Sequence, residues 1–194
     1  MMVTSKSAAP GELDVVRRFV NTRELDLDDL APGEEPDKIA TPAALRDWLA
    51  DQGLGEPGLG VQTDADVRRA AALREALRAL LLANNGEPVD PGAVGTINEI
   101  ADDLSCRVRF GPAGDCELEP TGRGIEAALG AILAIVYRSM AEGSWERLKA
   151  CRADTCQWAF YDRSKNRSGA WCSMAVCGNR AKARAYRQRQ RADV

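Results

Sequence analysis

Four cysteines near the C-terminus, Cys151, Cys156, Cys172 and Cys177, stand in a C-x4-C-x15-C-x4-C array that runs straight into Gly178-Asn179-Arg180 and a basic tail. Two close thiol pairs separated by a loop are what a structural tetrahedral zinc site requires, because each pair offers two thiolates from one tight turn. The chain has no histidine, which excludes histidine-based triads, HExxH sites and mixed Cys/His fingers. A single zinc ion would therefore have four sulfur ligands and no open coordination position. Such a site holds structure, and it argues against an enzyme. Four thiolates on a divalent ion leave a doubly negative centre, and Lys149, Arg152 and Arg180 are the nearby cations expected to offset it.

Charge is the second chemical signal. A formal net charge of −3 conceals twelve Lys or Arg against four acids in residues 145–194, a net of +8 that leaves −11 for the remainder. That asymmetry points to a module for polyanions on an acidic body. Gly178 is expected to take a positive φ on leaving the second thiol pair, and Asn179 to cap a helix over residues 180–191. At 100° per residue, Arg180, Arg184, Arg187 and Arg191 fall within an arc of about 60°. Lys182 and Arg189 lie opposite, leaving Ala183 and Tyr186 to contact the zinc module. Arginines at i, i+4 repel each other, and phosphates would relieve that repulsion. With Lys165 and Arg167 of the preceding loop, Arg180, Lys182, Arg184, Arg187 and Arg191 are the candidate nucleic-acid contacts.

The remaining sequence has to position this module. A hydrophobic fraction of 45% suffices for a packed core. Residues 1–10 read as disordered. Residues 12–21 read as a short helix with Leu13, Val16, Phe19 and Val20 on one face, and Asn21 after it as either a buried polar anchor or a helix C-cap. Residues 25–42 are dense in Asp, Glu, Pro and Gly and read as a loop, its acids Asp26, Asp28, Asp29, Glu34 and Glu35 solvated. Thr41-Pro42 opens a helix to about residue 50. The strongest helix begins near Asp64, with Val67, Ala70, Leu73, Leu77, Leu80 and Leu81 on one side, Arg68, Arg69, Glu75 and Arg78 elsewhere, and Asn84-Asn85-Gly86 ending it. A helix over 91–104 leads to a β-hairpin, Cys106 to Phe110 and Cys116 to Glu119, about a Gly111-Pro112-Ala113-Gly114 turn. Cys106 and Cys116 are not opposed in it, so no disulfide is expected. A helix over 124–141 is apolar nearly all round and reads as the central one, with Gly143 at the boundary. The fold class is thus mainly α with one small β-hairpin over residues 11–143, then a small four-cysteine zinc finger at 145–194 ending in a basic helix. Six of the ten aromatic residues fall in the last fifty positions, where a metal-stapled module needs them.

Three stretches carry a family resemblance: Arg147-Leu148-Lys149-Ala150-Cys151; Cys156-Gln157-Trp158-Ala159-Phe160-Tyr161-Asp162-Arg163-Ser164-Lys165-Asn166; and Trp171-Cys172-Ser173-Met174-Ala175-Val176-Cys177-Gly178-Asn179-Arg180. Together they resemble the CGNR zinc finger. Upstream, Phe19-Val20-Asn21-Thr22, Leu45-Arg46-Asp47-Trp48-Leu49 and Leu73-Arg74-Glu75-Ala76-Leu77 resemble the helical ABATE domain that precedes it. The resemblance implies a bacterial, stress-induced transcription regulator with four cysteines on zinc and a basic helix for nucleic acid.

The expected function is zinc-dependent DNA binding, with the N-terminal domain sensing a signal or dimerising. RNA, with Trp158, Tyr161 or Trp171 as stacking platforms, and an acidic protein partner are the alternatives. No apolar run matches a signal peptide or a membrane span, so a cytoplasmic protein, on the nucleoid when bound to DNA, is expected. A homodimer and a small-molecule effector remain open.

Overall fold

The computed structural model describes residues 8–54, 60 and 62–192, without the side chains of Asp29, Arg191 and Ala192. Residues 1–7, expected to be disordered, lie outside that set; Ala9 is buried, and its N–H donates to Asp14 Oδ1 at 2.8 Å.

The chain forms six α-helices and two hairpins among the described residues, bearing out the mainly helical fold class. Helix α1 (Leu13–Val20) buries Leu13, Val16, Phe19 and Val20, the face its periodicity predicts. Helix α2 (Pro42–Asp51) starts on Thr41, whose hydroxyl accepts the Ala44 N–H at 3.2 Å, with proline at the first turn where no amide is needed. Helix α3 (Asp64–Ala83) opens with a capping box between Thr63 and Asp66. Asp90 caps α4 (Pro91–Asp102) through the Gly92 N–H. Strands β1 (Cys106–Phe110) and β2 (Cys116–Pro120) pair antiparallel, Cys106 opposite Pro120 and Phe110 opposite Cys116. That register puts the two exposed thiols four residues apart along the ribbon, about 13 Å at strand rise, beyond disulfide reach. Helix α5 (Ile125–Ala141) buries Leu129, Ile132 and Ile135, and Gly143 leaves it at φ +72°.

A second hairpin, β3 (Leu148–Ala150) with β4 (Ala159–Tyr161), was not expected. Three-residue strands are too short to show an alternation. They matter more than their length suggests, because Leu148, Ala150 and Ala159 are buried in the same apolar cluster as Phe19, Leu73, Leu77 and Leu129. A separate, smaller cluster holds Cys151, Ala153, Cys156, Phe160 and Cys177. The root of the finger is therefore built into the core of the helical body, and its tip packs around the thiols. Helix α6 (Asn179–Ala192) follows the fourth cysteine.

Arg78, placed off the apolar side of α3, and its neighbour Arg74 are both taken into the interior. Both are almost completely buried. Arg74 grips Asp37 through two bonds of 2.7 and 2.8 Å and also donates to Thr22 Oγ1. Burial raises the Asp37 carboxyl, and the Arg74 guanidinium outweighs it, holding the group below the usual range. Arg78 donates to the Val20 carbonyl at 2.7 Å and to the Gln157 carbonyl at 3.0 Å, so one guanidinium joins α1 to the finger. Side-chain patterning alone does not reveal such arginines, because their acceptors, the Asp37 carboxylate for Arg74 and backbone carbonyls for Arg78, are brought in by the fold.

Candidate metal centre and basic helix

The four thiols converge. Cys151 follows directly on β3 and its N–H donates to the Trp158 carbonyl at 3.0 Å, closing the first turn. Cys156 and Gln157 both donate to the Ala153 carbonyl, and Gln157 takes a left-handed φ of +45° to return the chain to β4. Cys172 and Cys177 come from a second turn stabilised by Ser173, whose hydroxyl accepts from the Val176 N–H. All four sulfurs lie within 4.8 Å of one another, with Cys156 to Cys172 at 3.6 Å and Cys172 to Cys177 at 3.7 Å. Zinc–sulfur bonds of about 2.3 Å in a tetrahedron place sulfurs about 3.8 Å apart, so the cluster fits one zinc ion.

Electrostatics supports the same reading. Hydrogen bonding from Cys156 pulls the Cys151 thiol far down, while Cys156 and Cys172 are pushed up by donating to it and Cys177 is pushed up by burial. Four thiols this close cannot all ionise against one another. A divalent cation removes that conflict.

Three expectations about the surroundings need correction. Lys149 is buried and does not serve the thiolates. Its ammonium donates to Asp162 Oδ2 at 2.9 Å and to the carbonyls of Arg167 and Gly169 at 2.5 and 3.2 Å, pinning the loop between the thiol pairs to β3. Arg152 turns instead to the Asn85 carbonyl at the end of α3. Arg180 reaches Asp26 Oδ2 at 2.6 Å, and Asp26 is buried, unlike the solvated loop acid expected from its neighbours.

Asp162 organises the loop. Burial pushes its carboxyl up, but bonds from Lys149, from the Ser164 N–H and from the Gly169 N–H at 2.7 Å win, and the group sits well below the carboxylate range. Gly169 is a glycine for lack of room: a Cβ there would lie 2.8 Å from Asp162 Cγ.

Helix α6 begins differently from the expectation. Gly178 does not take a positive φ; it lies in a π turn over Met174–Gly178 that continues into α6, so the helical run is capped by Ser173 and not by Asn179. The need for glycine is steric, since a Cβ at 178 would sit 2.5 Å from Met174 Sδ and 3.3 Å from Trp171 Cδ1. Ala183 and Tyr186, expected to touch the finger, are exposed. Only the start of the helix is seated, and the rest projects. Lys182, Arg184, Arg187 and Arg189 are exposed along it, Arg191 lies in it with its side chain outside the described set, and the exposed Lys165 and Arg167 stand in the loop. Arg167 pairs with Glu146. Trp158, Tyr161 and Trp171 are half-buried, the two tryptophans against the thiol cluster and Tyr161 against the main core.

Three asparagines join finger to body; the sequence marks Asn21 as a buried anchor or a helix C-cap, and it is both, while Asn84 and Asn85 read there only as the end of α3. Asn21 caps α1, and its carboxamide also donates to the Ala159 carbonyl at 2.9 Å and accepts the Ala159 N–H at 2.7 Å, as a neighbouring strand would. Asn84 donates to the carbonyls of Trp145 and Leu148, and Asn85 to those of Ala150 and Ala170, all at 2.7–3.0 Å. Their position after α3 was legible as a helix end. Their reach into the finger was not.

Comparison with known families agrees with the motifs. The ABATE model, described as "Putative stress-induced transcription regulator", matches residues 13–142, and the CGNR zinc finger model matches residues 147–190. Among curated proteins, no relative matches the chain. No helix among the described residues is long and apolar enough to cross a membrane.

Proposed function

Because this chain belongs to the ABATE family and carries a CGNR zinc finger, we propose that it is a zinc-dependent, DNA-binding regulator of bacterial transcription under stress. The observation that carries this reading is α6: from Asn179 to Ala192 it holds six basic residues and no acid, and its described basic side chains are exposed. Zinc supplies the cross-link that holds Cys151, Cys156, Cys172 and Cys177 together at the root of this helix. Lys182, Arg184, Arg187 and Arg189 donate to phosphates, and an arginine fork from Arg184 or Arg187 reaches a guanine edge. Arg180, shared with Asp26, orients the helix on the body. The helical body receives the signal or dimerises.

The test is titration of duplex DNA with the zinc-loaded full chain at increasing salt. Each phosphate contact contributes about 0.9 to the slope of log affinity on log salt. Replacing Arg184 and Arg187 by alanine is expected to lower that slope by about one contact, since one of the two is given to a base edge, and to relax base preference. Binding indifferent to salt, to chelation and to these substitutions would refute the proposal. Competition with single-stranded RNA and with an acidic protein distinguishes the other partners.

A further inference from the structure

A cleft of about 240 Å³ opens where the end of α3 meets the finger, with Asn85 and Gly86 on one wall and Lys149, Arg152, Arg167 and Ser168 on the other. Three cations line it, and no carboxylate does. Lys149 has its three protons committed to Asp162, Arg167 and Gly169, so it supplies the floor and not a donor. The two guanidinium groups are different. Arg152 donates to the Asn85 carbonyl through Nε and Nη2, with no acceptor for Nη1 among the described residues, and Arg167 donates among them through Nη1 alone, to Glu146. Gly86 is what allows Arg152 to lie here, since a side chain at that position would collide with its guanidinium. Arg167 occupies a left-handed φ of +53°, a conformation that non-glycine residues hold at a cost and that concentrates at binding sites.

We propose that this cleft binds a phosphate group, held between Nη1 of Arg152 and the Nε/Nη2 edge of Arg167, the one guanidinium of the two with a fork to offer phosphate oxygens. The two walls come from the helical body and from the finger, so an occupant ties one to the other. The group belongs either to a free phosphorylated small molecule or to a DNA backbone, and the site does not depend on the DNA-binding reading.

The probe is inorganic phosphate, titrated by calorimetry into the zinc-loaded full chain against chloride at equal ionic strength. Saturable binding is expected, with a matching rise in melting temperature. Arg167→Asn keeps a residue that tolerates positive φ and should weaken binding about tenfold or more, the value of a lost charge-assisted pair. Arg152→Lys, which keeps the charge and loses the Nη1 donor that the Asn85 carbonyl holds in place, should also weaken it. If the DNA backbone supplies the phosphate, Arg167→Asn also lowers the salt slope of duplex binding by about one contact. If phosphate binding falls and that slope does not move, the ligand is a free phosphorylated molecule. No saturable binding beyond chloride, or binding unchanged in both variants, overturns the proposal.

Discussion

Replacing Asn21 with alanine removes a carboxamide that satisfies both backbone groups of Ala159, 138 residues further along the chain. Ala159 is completely buried, so after the substitution its N–H and C=O have no partner and no water. Each orphaned group costs about 1–3 kcal/mol, giving a loss of about 2–6 kcal/mol against a total stability of about 5–15 kcal/mol. A loss of about 3 kcal/mol lowers the melting temperature by about 6–12 °C in a chain of this size. The assay is urea unfolding with zinc held in fixed excess, followed by tryptophan fluorescence and by far-ultraviolet dichroism. Three of the four tryptophans, Trp145, Trp158 and Trp171, report on the finger and its root, and dichroism reports on the helices. Because β3 and β4 lie in the core of the body, both signals should move together. Asn21→Asp keeps the acceptor for the Ala159 N–H and loses the donor, so it separates the two halves of the contact. A loss below about 1 kcal/mol, or a fluorescence transition that shifts while dichroism stays still, would refute the reasoning.

Chelating the zinc should abolish the near-ultraviolet dichroism of Trp158 and Trp171, which pack on the thiol cluster, while the helical signal of α1 to α5 largely persists; simultaneous loss of both would count against a core shared only with β3 and β4. Lys149→Met leaves the Asp162 carboxylate without its cation, and urea unfolding should show a loss of about 3–5 kcal/mol, only partly recovered when Asp162→Leu is added, because the Ser164 and Gly169 N–H groups then lose their acceptor. The depressed carboxyls of Asp37 and Asp162 contribute stability that is complete above the unfolded carboxylate range and is lost as pH falls through their folded values. Melting temperature at fixed zinc should therefore decline below about pH 5, and less steeply in the double variant lacking Lys149 and Asp162. Gly169→Ala should cost about 1–3 kcal/mol by pushing Asp162 off Lys149, measured by the same unfolding curves.

The helices were legible because their signals are local. Thr41-Pro42, the apolar spacing of α3 and the Gly143 stop all act within a turn or two of where they stand, and each element appears at those residues. The thiol cluster was legible for a similar reason, since two short loops need only four sulfurs and the right spacing. What could not be read were the roles of polar residues whose partners are backbone atoms remote in sequence. Arg78 could be placed only as lying off the apolar side of α3, and it bridges Val20 and Gln157. Gly178 was assigned a backbone task and proved to have a steric one, because Met174 and Trp171 crowd it. Ala183 and Tyr186 were expected to seat α6, but the helix projects beyond its start, residues 182–190 are all exposed, and both lie outside.

Asn21, Asn84 and Asn85 grip only main-chain atoms: the N–H and C=O of Ala159 and the carbonyls of Trp145, Leu148, Ala150 and Ala170. A grip of this kind asks nothing of side-chain chemistry on the gripped strand. The finger can therefore change its outward-facing residues, including those of α6 beyond Arg180, without loosening this grip, provided its backbone keeps its path. The joint works as a standard socket: what is plugged into it can be re-specified for a new target while the helical body stays as it is.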